Sequence, residues 1–325
     1  MKFFGNHAIF HNIFLLIYNV FLMNKAGGFF KMTLKTLQIF VTVYREGSIT
    51  GAACRLGITQ PAVSSAIREL EHHFAVKLFQ RSGRSIAKTP NADTLYDYAS
   101  HITALYSDMN HAFRDADAGI PLRIGSSISI GTCILPRCIR AYIDHTHSPM
   151  PYVKIDSSDI IVRMIEENQL DYALIEGSTH SGRILSEPLI TDRLIPVCSP
   201  DHPLASRKQL RLDDLREENF LLREKNSGTR QLAESVLAQH SFVLTPAWES
   251  TSTTAIMEAV SLNLGISILP ARMLTAALAE GSLRELSLPG IRFQRQYSVI
   301  YHQNKYLTRR ITDAIDFFKQ YIRAM

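Results

Sequence analysis

The sequence predicts a multidomain α+β chain: a small N-terminal winged helix-turn-helix, one long helix, and a larger C-terminal α/β region. Three observations predict it. The stretch from Ser48 to Leu70 carries Ala53, Gly57 and Val63 at helix-turn-helix spacing. Positive charge is concentrated around that stretch. Beyond Pro121, strand-like and helix-like segments alternate, as in sheets covered by helices. At 325 residues the chain is long for one domain and suggests two or three, and 46% hydrophobic with 20% charged residues is ordinary composition for a globular protein.

Residues 1–31 read as an upstream extension outside the fold. Ala8 to Met23 is apolar but interrupted by His11, Asn12 and Asn19, and is shorter than the ~20 apolar residues of a spanning helix. Lys2 before an apolar run resembles a signal peptide, yet a basic helix-turn-helix follows it, which export would not serve. Met32 is therefore the expected first residue of the folded chain. Leu34, Leu37, Ile39, Phe40, Val43 and Tyr44 then form a helical apolar stripe that Glu46-Gly47 ends.

In the helix-turn-helix, Ala53 is small where the second helix must approach. Gly57 sits where the turn needs positive φ, and Val63 is the apolar plug between the helices. Ser48 and Thr59 stand at the two helix starts, where a hydroxyl accepts from free amides. Pro61 follows where its missing N–H costs nothing. Ala62, Val63, Ala66, Ile67 and Leu70 are expected to face inward. Thr59, Gln60, Pro61, Ser64, Ser65 and Arg68 are left for the major groove, where this motif places its second helix.

The adjacent His72 and His73 lack further ligands at metal spacing and read as surface residues. From Gln80 to Pro90, basic residues flank a Ser-Gly turn between apolar segments, which reads as a two-stranded wing. Arg81 and Arg84 would lie along phosphates or reach a minor groove. Between Met32 and Pro90, eight basic residues stand against three acidic ones, an excess of +5 that equals the whole chain's net charge. Such asymmetry is the electrostatic footprint of nucleic-acid binding.

Met32 to Pro90 resembles the N-terminal domain of LysR-type transcriptional regulators. The residues carrying the likeness are Leu37-x-x-Phe40, Gly47-Ser48, Ala52-Ala53, Leu56, Thr59-Gln60-Pro61-Ala62-Val63-Ser64, Ile67-x-x-Leu70-Glu71, Leu78-Phe79-x-Arg81 and Thr89-Pro90. Three positions depart from the family pattern. Ser65 stands where many members carry Arg or Lys, Gln80 replaces a common Glu, and Ala92 replaces the usual Gly after Thr-Pro.

Residues 91–118 read as one helix whose Leu95, Tyr98, Ile102, Leu105, Met109 and Phe113 form a seam for a partner helix. The resemblance implies a linker helix that dimerises two DNA-binding domains. Asp117 to Pro121 breaks it. The rest, 122–325, alternates strand and helix with mainly parallel sheets expected. It resembles the family's effector domain, two lobes of the type II periplasmic-binding-protein fold. Lobe 1 would be about 122–195 and 297–325, and lobe 2 about 196–296.

Ligands in such sheets bind outside the carboxyl ends of strands, near helix starts. Three stretches fit: Gly125 to Ser129, Asn226 to Arg230, and Glu249 to Thr254. Their hydroxyls and free amides suit a carboxylate or inorganic oxyanion, with Arg230 offering charge. Position within the family's pattern selects Ser127, Ser129, Ser227, Thr229 and Thr253 as effector-binding residues.

Cys54, Cys133, Cys138 and Cys198 show no C-x-x-C spacing and make no disulfide framework, which points to a reducing, cytoplasmic setting. No phosphate loop, paired metal site or nucleophile elbow is present, and the closeness of Cys198, Asp201 and His202 in sequence does not make a triad. No enzymatic activity, cofactor or metal is expected. The expected function is transcription regulation, with double-stranded DNA, a small anionic effector, a second or further copies of the chain, and RNA polymerase as partners. The competing reading, an exported solute-binding protein with an N-terminal signal or anchor, conflicts with the basic helix-turn-helix.

Overall fold

The computed structural model describes residues 32–82, 85–114, 121–177, 179 and 181–325. The 1–31 extension, Arg84, and residues 117–120 of the expected helix break at Asp117 to Pro121 lie outside the described residues. The chain divides into two compact units, up to Thr103 and from Ala104 onward.

In the first unit, α1 (Leu34–Glu46), α2 (Ile49–Leu56) and α3 (Gln60–Phe74) enclose Phe40, Val43, Ala52, Val63 and Leu70, all fully buried. Each end has a local cause. Thr33 and Ser48 accept from Thr36 N and Gly51 N, and Gly47 and Gly57 close α1 and α2 at φ 60° and 64°, which a β-carbon would strain. A hairpin follows, β1 (Phe79–Ser82) paired antiparallel with β2 (Ser85–Lys88). Then comes α4 (Pro90–Arg114), which buries Ala92, Tyr96 and Ala99 on this unit's core. Tyr44 and Tyr96 stack at 3.9 Å, tying α1 to α4.

Two expectations change here. Thr59 makes no side-chain cap bond; its carbonyl takes Ala62 N and Val63 N, and its hydroxyl side is left exposed. Ala62 is exposed, because only the stripe through Val63, Ala66, Ile67 and Leu70 fits the core.

Among its described residues the second unit holds nine strands: β3 (Arg123–Ser127), β4 (Tyr152–Asp156), β5 (Tyr172–Glu176), β6 (Ile184–Cys198), β7 (Phe220–Arg223), β8 (Pro246–Ser250), β9 (Ser267–Pro270), β10 (Arg284–Glu285) and β11 (Phe293–His302). Their order is β10-β6-β11-β5-β3-β4, with β9 also on β6, and β7-β8 as a separate pair. The sheets are mixed rather than mainly parallel. β3 pairs parallel with β4 and β5, and β7 with β8, but β6 and β11 run antiparallel to all their neighbours. The reason is that β6, 15 residues long, and β11 pass through both lobes and join them. A register shift between Gln296 and Ser298 marks the passage.

Helices α5 (Ile128–Cys133), α6 (Leu135–Thr146), α7 (Ser158–Glu166), α8 (Gly228–Ala238), α9 (Thr253–Ser261), α10 (Thr275–Glu280) and α11 (Arg309–Arg323) cover the sheets. α5 and α6 are separated at Ile134, with Pro136 in the first turn of α6. Lobe 1 buries Tyr172, Tyr297 and Phe318, while Leu215, Leu237 and Phe242 centre lobe 2. Among the described residues, no helix is long and apolar enough to cross a membrane, and no group of three or more His, Cys, Asp or Glu could hold a metal ion.

Candidate functional site

The outer face of α3 is built by its own periodicity. With Val63, Ala66, Ile67 and Leu70 inward, Thr59, Gln60, Pro61 and Arg68 are exposed, and Ser64 and Ser65 are half-buried. Arg68 Nε donates to the Ser64 carbonyl at 3.2 Å, and Ser65 Oγ donates to Glu69 Oε1 at 3.2 Å. Arg81 lies on β1. Thus Gln60, Pro61, Ser64, Ser65 and Arg68 come together on one face, with the wing following from the end of the same helix.

Glu71 fixes that wing, a role the sequence reading missed. Its carboxylate is buried and accepts from Lys77 Nζ (2.7 Å), Leu78 N (2.9 Å) and Phe79 N (3.3 Å), holding the entry to β1. Thr89 closes the exit: its hydroxyl donates to the Lys77 carbonyl at 2.7 Å and accepts from Ala92 N at 3.2 Å, capping α4. The signal was present, since Glu71 falls one turn after the inward Ile67.

Burial opposes the Glu71 charge, but Lys77 and the two amides outweigh it, and its pKa is lowered. Its contribution to stability is therefore complete above the ordinary carboxylate pKa and is lost as pH falls through the lowered value. Glu71→Ala is expected to cost the first unit about 1–3 kcal/mol near neutral pH by leaving buried donors unpaired. Thermal unfolding of both proteins across pH checks this; the gap must close in acid.

The second constellation lies between the lobes. All five residues selected there are buried: Ser127, Ser129, Ser227, Thr229 and Thr253. Ser127 and Ser227 line one small cavity with Ile128, Ser157, Ser158, Glu176, Arg223, Glu224 and Gly228. Its free volume is about 10 Å³, room for roughly one water. The Ser127 hydroxyl has no hydrogen-bond partner in the structure. Thr253 stands behind the cavity, accepting from Arg223 Nη1 at 2.9 Å.

Ser129 and Thr229 meet on a residue that the sequence reading did not select, Arg295. Its side chain is 4% exposed. Nη1 donates to Glu176 Oε2 (2.8 Å) and Thr229 Oγ1 (3.1 Å), Nε to Asp192 Oδ2 (3.0 Å), and Nη2 reaches Ser129 Oγ at 3.5 Å. Burial works against the Arg295 charge, but Glu176 and Asp192 outweigh it and its pKa is raised. Arg223 is likewise matched, its guanidinium paired through two bonds with Glu224.

Arg230 does not supply free charge as expected. It is turned onto Glu234 (2.7 Å) and Glu249 (2.5 Å), the first being its i,i+4 neighbour on α8. Ser157 and Ser158 were also missed, although Asp156-Ser157-Ser158 repeats the strand-then-hydroxyl-then-helix pattern used for the other three stretches. A wider groove of about 770 Å³ lies elsewhere on lobe 2, but its Arg216 pairs with its own neighbour Asp213. Burial raises the thiol pKa of Cys133, of Cys138 to about 12 and of Cys198 to about 11, which disfavours the reactive thiolate.

Comparison with known proteins gives matches along nearly the whole described chain. The model "Bacterial regulatory helix-turn-helix protein, lysR family" matches residues 34–93, and "LysR substrate binding domain" matches 117–323. YeiE, an HTH-type transcriptional regulator of Escherichia coli (strain K12), is 32% identical over 287 residues, 88% of this chain and 97% of that protein. Full-length OxyR from Pseudomonas aeruginosa shares the fold with a TM-score of 0.70 at 20% identity, over 90% of this chain and 95% of that one. The Synechocystis CcmR regulatory domain in complex with 2-PG shares it with a TM-score of 0.59 at 22% identity, over 63% of this chain and 98% of that one.

Proposed function

The chain belongs to the LysR family of DNA-binding transcriptional regulators, and from that premise we propose how its own residues divide the work. Residues 32–90 bind promoter DNA, 91–118 pair with the same helix of a second copy, and 122–325 hold a small effector. The observation that carries the reading is the α3 face. Gln60, Pro61, Ser64, Ser65 and Arg68 project from a helix whose opposite side is locked in the core, in a segment with an excess of +5. Arg81 and Arg84 add phosphate or minor-groove contacts from the wing.

Dimerisation is supported by α4, on which Tyr98, Ile102 and Met109 are exposed along one seam. One such domain covers only a half-site, so a homodimer or homotetramer on a palindromic operator follows. The setting is the cytoplasm, where the DNA is.

The effector is a small carboxylate or inorganic oxyanion, taken up where Ser127, Ser129, Ser227 and Thr229 gather, with Thr253 positioning Arg223. The buried, unpartnered Ser127 hydroxyl beside the first turn of α8 supports it. The ligand of the CcmR domain supports a small-molecule effector for this domain as well. Binding would shift the population between two lobe arrangements, and so needs different affinity for the two.

Fluorescence anisotropy with DNA from the gene's own promoter tests the reading. Affinity is expected to fall steeply with salt, because each phosphate contact releases counterions; salt-insensitive binding, or none, overturns it. Arg68→Ala is expected to relax sequence preference at one position by about 1–3 kcal/mol. Arg81→Ala weakens all sequences alike and lowers the salt slope by about one. The reverse pattern would exchange their roles.

A further inference from the structure

We propose that Glu176 is a tethered internal ligand: its own carboxylate occupies the anion position of the lobe cleft, so an effector oxyanion acts by displacing it. This rests on the reading of the cleft as an effector site.

The Glu176 side chain is 7% exposed. A buried carboxylate persists only when it is paired and hydrogen-bonded, and the donors it uses are those a free oxyanion would need. Oε1 accepts from Ser129 N at 3.1 Å, and Oε2 from Arg295 Nη1 at 2.8 Å. On the lobe 2 side, a β-carbon built on Gly228, the first residue of α8, would stand 4.0 Å from Oε2, so the carboxylate lies beside that helix start. Arg295 bonds Thr229 of α8 through the same nitrogen. The bond set Glu176–Arg295–Thr229 therefore spans from lobe 1 across the joining strand β11 to lobe 2.

A second observation points to a ligand at the same place. Ser127 Oγ, 1% exposed and without a partner, lines the cavity beside Glu176 and Gly228, and the space left is about 10 Å³. That space holds roughly one water, so an anion of several heavy atoms needs lining side chains to move, Glu176 among them. An intramolecular ligand acts at a high effective concentration, so Glu176 sets the threshold that a free anion must exceed.

The test uses the full chain as wild type, Glu176→Ala and Glu176→Gln, with sodium acetate and sodium sulfate as probes and sodium chloride at matched ionic strength as control. The readout is the thermal midpoint as a function of probe concentration. The proposal expects wild type to shift little and Glu176→Ala to be less stable without probe. Acetate should then raise the midpoint of Glu176→Ala by several degrees through binding to the folded state. Glu176→Gln keeps the side-chain volume but not the charge, and is expected to bind either probe at least tenfold more tightly than wild type. If Glu176→Ala does not fold even with acetate, the glutamine variant decides. Equal shifts in wild type and glutamine variant overturn the proposal and leave an anionic effector standing. No shift in any protein overturns it too, and leaves the DNA-binding reading to its own salt titration.

Discussion

Asp171→Ala is expected to destabilise the second unit by about 3–5 kcal/mol, the cost of breaking a buried ion pair by removing one partner. Asp171 is buried at the start of β5. Its Oδ1 takes Arg123 Nη2 at 2.7 Å and Lys305 Nζ at 3.1 Å, and its Oδ2 accepts Arg123 N at 2.8 Å. Lys305 is the sensitive member, since its side chain is 1% exposed. The carboxylate ties the entry of β3 to the loop after β11, so its removal strips both of a shared counter-charge. Burial raises its pKa, but Lys305 and then Arg123 outweigh burial, and the net shift is downward. The stability is therefore present above the ordinary carboxylate pKa and lost as pH falls through the lowered one. Urea unfolding at neutral and acid pH measures this. A loss below about 1 kcal/mol at neutral pH, or a loss that persists in acid, would remove the network from the account.

Gly265→Ala is the second large effect, expected at about 3 kcal/mol or more from overpacking plus a lost backbone hydrogen bond. A β-carbon there would stand 2.3 Å from the carbonyl oxygen of Asn219. That contact is backbone and cannot swing away. The same oxygen accepts from Ile266 N at 2.9 Å, and Leu221 N donates to the Ile266 carbonyl at 2.9 Å, the bonds by which β7 reaches the start of β9. Any relief of the clash pulls these apart, and with them the strand that carries Arg223 into the cleft. Gly182→Ala, where nothing lies within 4 Å, is the matched control, expected to change stability by less than about 0.5 kcal/mol. Equal behaviour of the two would show that the close approach at Gly265 relaxes at no cost.

The candidate sites were legible to different depths. The α3 face could be read almost completely, because a helix sets inside and outside by its own period. Its one misplaced member, Ala62, is too small for periodicity to decide. For Thr59, residue type alone suggests a side-chain cap, but its rotamer belongs to the folded chain. In the cleft, the hydroxyls could be found because each follows a strand and opens a helix. The charges could not. Glu176, Asp192 and Arg295 stand mid-sheet or at strand ends, and Arg295 bonds Asp192 and Glu176 across 103 and 119 residues of sequence. Arg230 shows the converse error. Residue type alone suggests a free cation, although Glu234 lies one turn away, and Glu249 is brought to it only by the pairing of β7 with β8.

The sequence by itself therefore determined the family, the two kinds of domain, the outward face of α3 and the hydroxyl-rich loops. All of these depend on local period, caps and charge, whose physics acts over a few residues. Only the tertiary structure decided that the sheets are mixed, that β6 and β11 join the lobes, that Glu71 anchors the wing, and that the cleft already holds a carboxylate on its arginine. Those features arise from pairing between distant strands and from the cost of burying charge without a partner, which no stretch of sequence displays on its own.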